Sequence, residues 1–360
     1  WGTLNTSACK GYKGFVGRLS ADGVVKNVNI ASDCDLKYFA TSSAVVAYNS
    51  GLVENCRNYS DVLGYSCWIG GIVGQNLKEG KIRNCYNAGN IVGGYGQVAG
   101  IAGATYSIIE NCMNVGRIEI RQLATNFANQ LQSAGGIAGT SSSGGKFVNC
   151  VNAGTVTAQI KRVGGIVGDW GPVLSATASY YKNDMINCVN YGTVFSPDAS
   201  TNGALAGGEK QSESEEISGN YWDVQILDIN PDANAAHEGM NGVETSVLTS
   251  GKALEGFDTS IWQFEAGKYP VLKAFADEEM VKEACATKLI VPAGVTVKNL
   301  SADATVENGT PVLSQGTKFT LAGNVVKGIP TTEEVVTDTL TITNGKYVKI
   351  IALSAMPANP

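Results

Sequence analysis

Over its first two hundred positions the chain places apolar residues in short Ile- and Val-rich bursts fenced by Gly or Asn, as in Gly70-Gly71-Ile72-Val73-Gly74 and Gly164-Gly165-Ile166-Val167-Gly168. These runs are too short for helices, and their branched side chains between turn-forming residues predict strands. The bursts also repeat. Asn84-Cys85-Tyr86-Asn87-Ala88-Gly89 returns as Asn111-Cys112-Met113-Asn114-Val115-Gly116, Asn149-Cys150-Val151-Asn152-Ala153-Gly154 and Asn187-Cys188-Val189-Asn190-Tyr191-Gly192. Asn55-Cys56-Arg57-Asn58 is a fifth copy, and Asn27-Val28 a sixth with valine in the cysteine slot. Between these words lie Gly100-Ile101-Ala102-Gly103, Gly135-Gly136-Ile137-Ala138-Gly139 and the weaker Gly203-Ala204-Leu205-Ala206-Gly207, with Gly14-Phe15-Val16-Gly17 and Ala44-Val45-Val46-Ala47 in the same phase upstream.

From Cys56 to Cys188 the successive cysteines of this series are 29, 27, 38 and 38 residues apart. The spacing reads as a unit of about 28 residues carrying extra loop residues in two copies. One such unit cannot bury its own apolar face, but units stacked at the strand spacing of about 4.8 Å share one interior. The prediction is an all-β fold, a right-handed parallel β-helix of six or seven coils, the handedness taken from the crossover preference. Stacked asparagines would bond to one another along the column, and the cysteines would point inward as small hydrophobes. Parallel side chains on adjacent strands do not readily reach the dihedral a disulfide requires, so free thiols are expected at Cys56, Cys85, Cys112, Cys150 and Cys188.

The word Gly-Gly-Ile-Val-Gly followed by x-Ile-x-Asn-Cys-x-Asn-x-Gly-x-Val resembles the repeats of the GLUG-motif family of bacterial cell-surface and secreted proteins, some of them adhesin-like. The resemblance covers residues 14 to about 207. It is echoed by Asn220-Tyr221-Trp222-Asp223, by a short helical stretch from Ser246 to Leu254, and by Trp262 through Tyr269-Pro270-Val271-Leu272, which resemble a closing segment. It implies a bacterial surface or extracellular setting. It carries over no catalytic residue, because the motif contains none.

Composition changes the picture at two points. A charged fraction of 16% and a net charge of -6 argue against a nucleic-acid partner. Acidity is also uneven: residues 51-210 hold 9 acids and 11 bases, and residues 211-285 hold 15 acids and 4 bases. Three regions follow: a β-helix over 1-210, an acidic capping segment over 211-275 that covers the open end of the column, and residues 276-360. The last region begins with a short helix from Asp277 to Ala286 and continues as a small antiparallel β module. Within it, Asn308-Gly309 and Asn344-Gly345 mark hairpin turns. No apolar run is long enough for a membrane-spanning helix.

Candidate chemistry is sparse. The single histidine, His237, excludes every site built on two or more histidines and sits in a polar loop-like stretch. Nine cysteines contain no C-x-x-C pair. Glycan-cleaving β-helices need paired carboxylates, yet no acid between 51 and 210 lies within six residues of another. Glu54 and Glu110, each just before an Asn-Cys, are two coils apart. No catalytic, metal or cofactor site is therefore assigned. Trp68 is read as a packing residue. The two long insertions, Arg117 to Ala134 and Asp169 to Asp184, carry aromatic residues suited to binding a sugar face or a protein partner: Phe127 in the first, Trp170, Tyr180 and Tyr181 in the second. The expected role is non-enzymatic adhesion or binding to a host or bacterial surface glycan or protein. A structural spacer and a glycan-cleaving enzyme are the alternatives.

Overall fold

The structure, a computed structural model, describes residues 11-38, 41-65, 68-94, 96-121, 132-142, 144-158, 162-170, 183-196, 202-208, 216-224 and 238-285, and beyond these the strands between 288 and 356. The chain divides into two compact units, one of residues 1-222 with 229-241 and one of residues 223-228 with 242-360.

The first unit is the predicted parallel solenoid, with five short strands per coil. One coil runs Trp68–Gly70, Val73–Asn76, Lys81–Arg83, Tyr86–Asn87 and Ile91–Gly93. The next repeats it as Gln97–Ala99, Ala102–Thr105, Ile108–Glu110, Met113–Asn114 and Ile118–Ile120. Equivalent residues pair in parallel: Ile69 with Val98, Val73 with Ala102, Ile82 with Ile109, Asn87 with Asn114, and Ile91 with Ile118. Coil upon coil, these strands build five sheets, which we number from the first to the fifth in this order along each coil. The interior is filled in layers. Ile69, Ile72, Ile82, Cys85 and Ile91 are fully buried in one coil, and Val98, Ile101, Ile109, Cys112 and Ile118 stand in the same places in the next. Each full burial is worth about 1.5–3 kcal/mol for a large aliphatic side chain.

Both recurring words have a geometric reason. The asparagine before each cysteine turns the chain from the third sheet to the fourth in the left-handed region: φ is 59° at Asn27, 52° at Asn55, 53° at Asn84, Asn111 and Asn187, and 52° at Asn149. Asparagine adopts this conformation at lower cost than most residues with a Cβ. The shared φ also places Asn27, with valine behind it, in the series. The second asparagine of the word is buried and forms a continuous amide ladder. Asn58 Nδ2 donates to Asn87 Oδ1 at 2.8 Å, Asn87 to Asn114 at 2.8 Å, Asn114 to Asn152 at 2.8 Å and Asn152 to Asn190 at 2.9 Å. The other proton of each amide goes to the carbonyl two residues on, as from Asn87 to Gly89 and from Asn114 to Gly116, both at 2.9 Å. The ladder ends when Asn190 Nδ2 donates to the Ala204 carbonyl at 2.8 Å.

The glycine word presses against this ladder. A Cβ at Gly71 would overlap Asn87 Oδ1 and the Gly100 carbonyl oxygen, and one at Gly100 would overlap Asn114 Oδ1. The two words are therefore the two sides of one contact.

The solenoid continues past the boundary expected at residue 210. Ile217–Ser218 pairs with Asp184–Ile186, and Asn220–Asp223 pairs with Val189–Asn190 so that Asn190 faces Trp222. The stretch read as part of a closing segment is thus a seventh turn of the repeat. Gly219, at φ 63°, replaces the turn asparagine, Asn220 takes the cysteine slot and Trp222 takes the ladder slot. The two insertions leave the column at different corners. One lies between Ile118–Ile120 and Ser133–Gly135, and the other between Val167–Trp170 and Asp184–Ile186.

In the second unit, Trp262–Gln263 pairs antiparallel with Val271–Leu272. Around this pair the rings of Phe257, Trp262 and Phe264 cluster, with centroids 4.7–6.5 Å apart. Fully buried Asp223 accepts hydrogen bonds from the Thr245 and Tyr269 hydroxyls. The predicted helix is present as Glu279–Cys285. Val336–Asn344 and Tyr347–Met356 form an antiparallel pair from Asn344 opposite Tyr347, as the Asn344-Gly345 turn requires. The β module is not wholly antiparallel, because Lys288–Pro292 joins Tyr347–Met356 in parallel. The Asn308-Gly309 turn lies outside the described residues.

Two substitutions test the ladder. Asn114→Ala leaves Asn87 Nδ2 and Asn152 Oδ1 without their partners, and each orphaned buried group costs about 1–3 kcal/mol. Urea denaturation should show a loss of about 3 kcal/mol, against less than about 0.5 kcal/mol for exposed Lys78→Ala. Gly100→Ala should be comparably damaging, although it adds only a methyl group.

Candidate functional site

Three sets of side chains with chemical potential occur in the solenoid: the inward thiols, the ion pairs on its flank, and the aromatic residues singled out in the sequence.

Cys56, Cys85, Cys112, Cys150 and Cys188 are completely buried and unbridged. Each Sγ–H donates to the carbonyl two residues earlier, at 3.3 Å to Glu54 and Arg83, 3.2 Å to Glu110, and 3.5 Å to Val148 and Ile186. The hydrogen bond with Cys85, followed by burial, pushes the Cys56 thiol far up. Burial does the same first of all at Cys85, Cys112 and Cys188. Without thiolate character these groups are poor nucleophiles and poor metal ligands. Among the described residues no cluster of three His, Cys, Asp or Glu side chains has the arrangement to hold a metal. The column is closed at the far end by Asn220, whose Oδ1 accepts from the Cys188 amide at 3.0 Å and whose Nδ2 donates to the Met185 carbonyl at 2.7 Å.

On the third sheet the in-register stacking brings Glu54 and Glu110 into one column, with Arg83 between them. Arg83 Nε is 2.7 Å from Glu54 Oε1. The guanidinium fills the interval in which a water or a glycosidic oxygen would have to sit for these two acids to act as an acid/base pair. Other flank acids are matched in the same way. Glu119, nearly buried, lies 2.7 Å from Arg117 and 2.8 Å from Arg121. Asp169 lies 2.7 Å from Arg162, which itself adopts φ 58°. Lys146 bridges Asp184 at 3.3 Å and Glu216 at 3.2 Å. Such pairs, several of them linking successive coils, give a flank of nearly balanced charge.

Of the aromatic residues proposed for binding, Trp170 is 3% exposed. It is the last residue of a second-sheet strand, in register with Ser141, and its ring centroid is 5.9 Å from that of core Phe147. That position gives it a packing role in place of an exposed shelf. Phe127, Tyr180 and Tyr181 lie outside the described residues. An aromatic group that sequence reading passed over stands at the first coils: exposed Tyr12, its neighbour Tyr48, and half-buried Trp68. These residues belong to no repeated word. Only the strand register shows that Tyr12 and Trp68 occupy one column of the first sheet, either side of Thr41.

A family model described as the GLUG motif matches residues 67–92. That span is one coil, from the first sheet to the fifth. No curated protein and no solved structure matches the chain.

The thiol column has a consequence for alkaline stability. A group whose pKa is raised on folding adds stability below its unfolded value, and that stability is lost as pH climbs from there toward the folded value. For cysteine the loss starts near pH 8.5 and reaches up to about 1.4 kcal/mol per pH unit for each thiol kept protonated. Urea midpoints measured from pH 7 to 10.5 should therefore fall above about pH 8.5, and the fall should be shallower in Cys85→Val. Identical slopes in the two proteins would show that burial does not hold the proton.

Proposed function

We propose that this GLUG-motif solenoid is a non-enzymatic binding or adhesion protein of a bacterial surface or of bacterial secretions, recognising a host or bacterial glycan or protein along its flank. The observation that carries this reading is the coil-by-coil register, which converts each outward strand position into a straight column of side chains. Lys26, Glu54, Arg83 and Glu110 form one such column and Leu63, Val92, Glu119 and Thr157 another. An elongated partner meets a periodic surface of this kind at several points at once, and multiple weak contacts add to a useful affinity. The pairing of flank acids with arginine or lysine supports binding over hydrolysis. Buried, protonated thiols also suit an oxidising exterior, since the thiolate is the species that oxidises.

A second reading, a spacer that displays another domain, is favoured by the interior itself. Its amide ladder is satisfied within the chain, and a rod built this way needs no ligand for its stability.

One screen separates the readings. The full chain is applied to glycan and surface-protein arrays, and retained ligands are analysed for mass after prolonged incubation. Saturable retention with unchanged ligand mass is expected. Shortened or unsaturated sugar products would establish an enzyme, and the absence of retention on either array would leave the spacer.

A further inference from the structure

We propose that the outer face of the first and second sheets at the N-terminal coils is a binding site for a carboxylate-bearing sugar, with Tyr12 and Tyr48 as the stacking surface and Arg18 as the carboxylate clamp. This rests on the binding-protein reading and deepens it by naming the place and the ligand class.

The strands Tyr12–Lys13 and Val16–Leu19 belong to the first described coil, and Val46–Asn49 to the second. Arg18 pairs in register with Tyr48, and Tyr48 with Gln75, so the three stand in one column. The Tyr12 and Tyr48 ring centroids are 4.8 Å apart with the planes inclined at 48°. Arg18 Cζ lies 5.0 Å from the centroid of the Tyr48 ring. Tyr12 is 43% exposed and Arg18 is exposed as well. The group thus presents two touching aromatic faces, a guanidinium laid against one of them, and an amide one coil further on.

Arg18 is set apart by how it is held. Arg83, Arg117, Arg121 and Arg162 are each within 2.8 Å of a carboxylate. Arg18 has no carboxylate partner among the described residues and rests on a ring instead. A guanidinium stacked on an aromatic face keeps its in-plane N–H fork pointing outward, where it can bind a carboxylate through two parallel hydrogen bonds. The adjacent phenol rings match the C–H face of a pyranose, and Gln75 supplies an amide for a hydroxyl. Apolar faces beside an uncompensated cation describe an acidic sugar, such as a sialic or uronic acid residue, better than a neutral glycan. An acidic peptide would use the cation but would leave the paired rings without a flat apolar face to cover.

The test applies the full chain to an array of sialylated, uronate-containing and neutral oligosaccharides, followed by calorimetry on the retained compounds. Acidic glycans should be retained and their carboxyl-reduced counterparts should not. Arg18→Ala and Tyr48→Ala should each weaken binding about tenfold or more, with Arg18→Lys intermediate, and raised salt should weaken the wild type more than Arg18→Ala. Unchanged thermal unfolding of the variants shows that the site and not the fold was lost. Acidic glycans held equally well by Arg18→Ala and Tyr48→Ala would overturn this site while leaving the binding reading intact, and so would retention of neutral glycans or of acidic peptides alone. Failure to retain any glycan or protein would overturn both.

Discussion

Register is the constraint on which this molecule depends, and the buried amide ladder is what fixes it. A parallel stack of short apolar strands could slide by two residues and still bury one face of each strand. The ladder forbids that slide, because each Asn Nδ2 must meet the Oδ1 of the next coil at 2.8–2.9 Å and its other proton must reach a carbonyl two residues on. A displaced coil would strand both partners in a water-free interior, where unmet hydrogen bonds are most costly. The glycine word works with it: Gly71, Gly100, Gly136 and Gly165 leave room for the amides of Asn87, Asn114, Asn152 and Asn190 respectively.

This explains why the architecture was legible in the sequence. The contact demands specific residue types at fixed spacing, so Asn-Cys-x-Asn-x-Gly and Gly-Gly-Ile-Val-Gly stand out against positions where any apolar residue serves. The same logic explains what was missed. Gly219-Asn220-Tyr221-Trp222 keeps the geometry of the word with none of its letters except a displaced asparagine: Gly219 supplies the positive φ, and Asn220 makes through its side chain the closing contacts of the thiol column. A terminal coil has no successor to pair with, so its residues are chosen for ending the ladder and no longer resemble the interior copies. Insertion length was also readable, whereas the corner of insertion was not. Two equal cysteine spacings of 38 residues conceal departures from different sheets.

Candidate sites were less legible, for a physical reason. Binding surfaces in a solenoid are assembled across coils, from residues separated by one repeat and free of any repeat consensus. Trp170 drew attention because it opens an insertion, yet as the last residue of a strand it turns toward Phe147. Tyr12, Arg18 and Tyr48 drew none, since two coils separate them in the chain and only in-register pairing makes them one surface. Glu54 and Glu110 show the converse. Their common phase was visible in the sequence, but Arg83 between them decides what the pair can do, and its role emerges only when the column is read as a whole.

The thiol column shows how far the repeat governs side-chain chemistry. At this corner the chain has just passed through a left-handed asparagine, and the next side chain points into a narrow interior beside the carbonyl two residues back. A thiol is small, apolar enough to be buried fully, and able to donate weakly to that carbonyl, which no aliphatic residue can do. At the first coil, where the interior begins, valine at position 28 suffices. At the last coil asparagine takes the slot and uses both ends of its amide. Cysteine in this protein is accordingly a packing residue with a polar edge. Its number follows from how many interior coils there are, not from redox chemistry, and the parallel stacking that brings successive thiols close is also what keeps them from cross-linking.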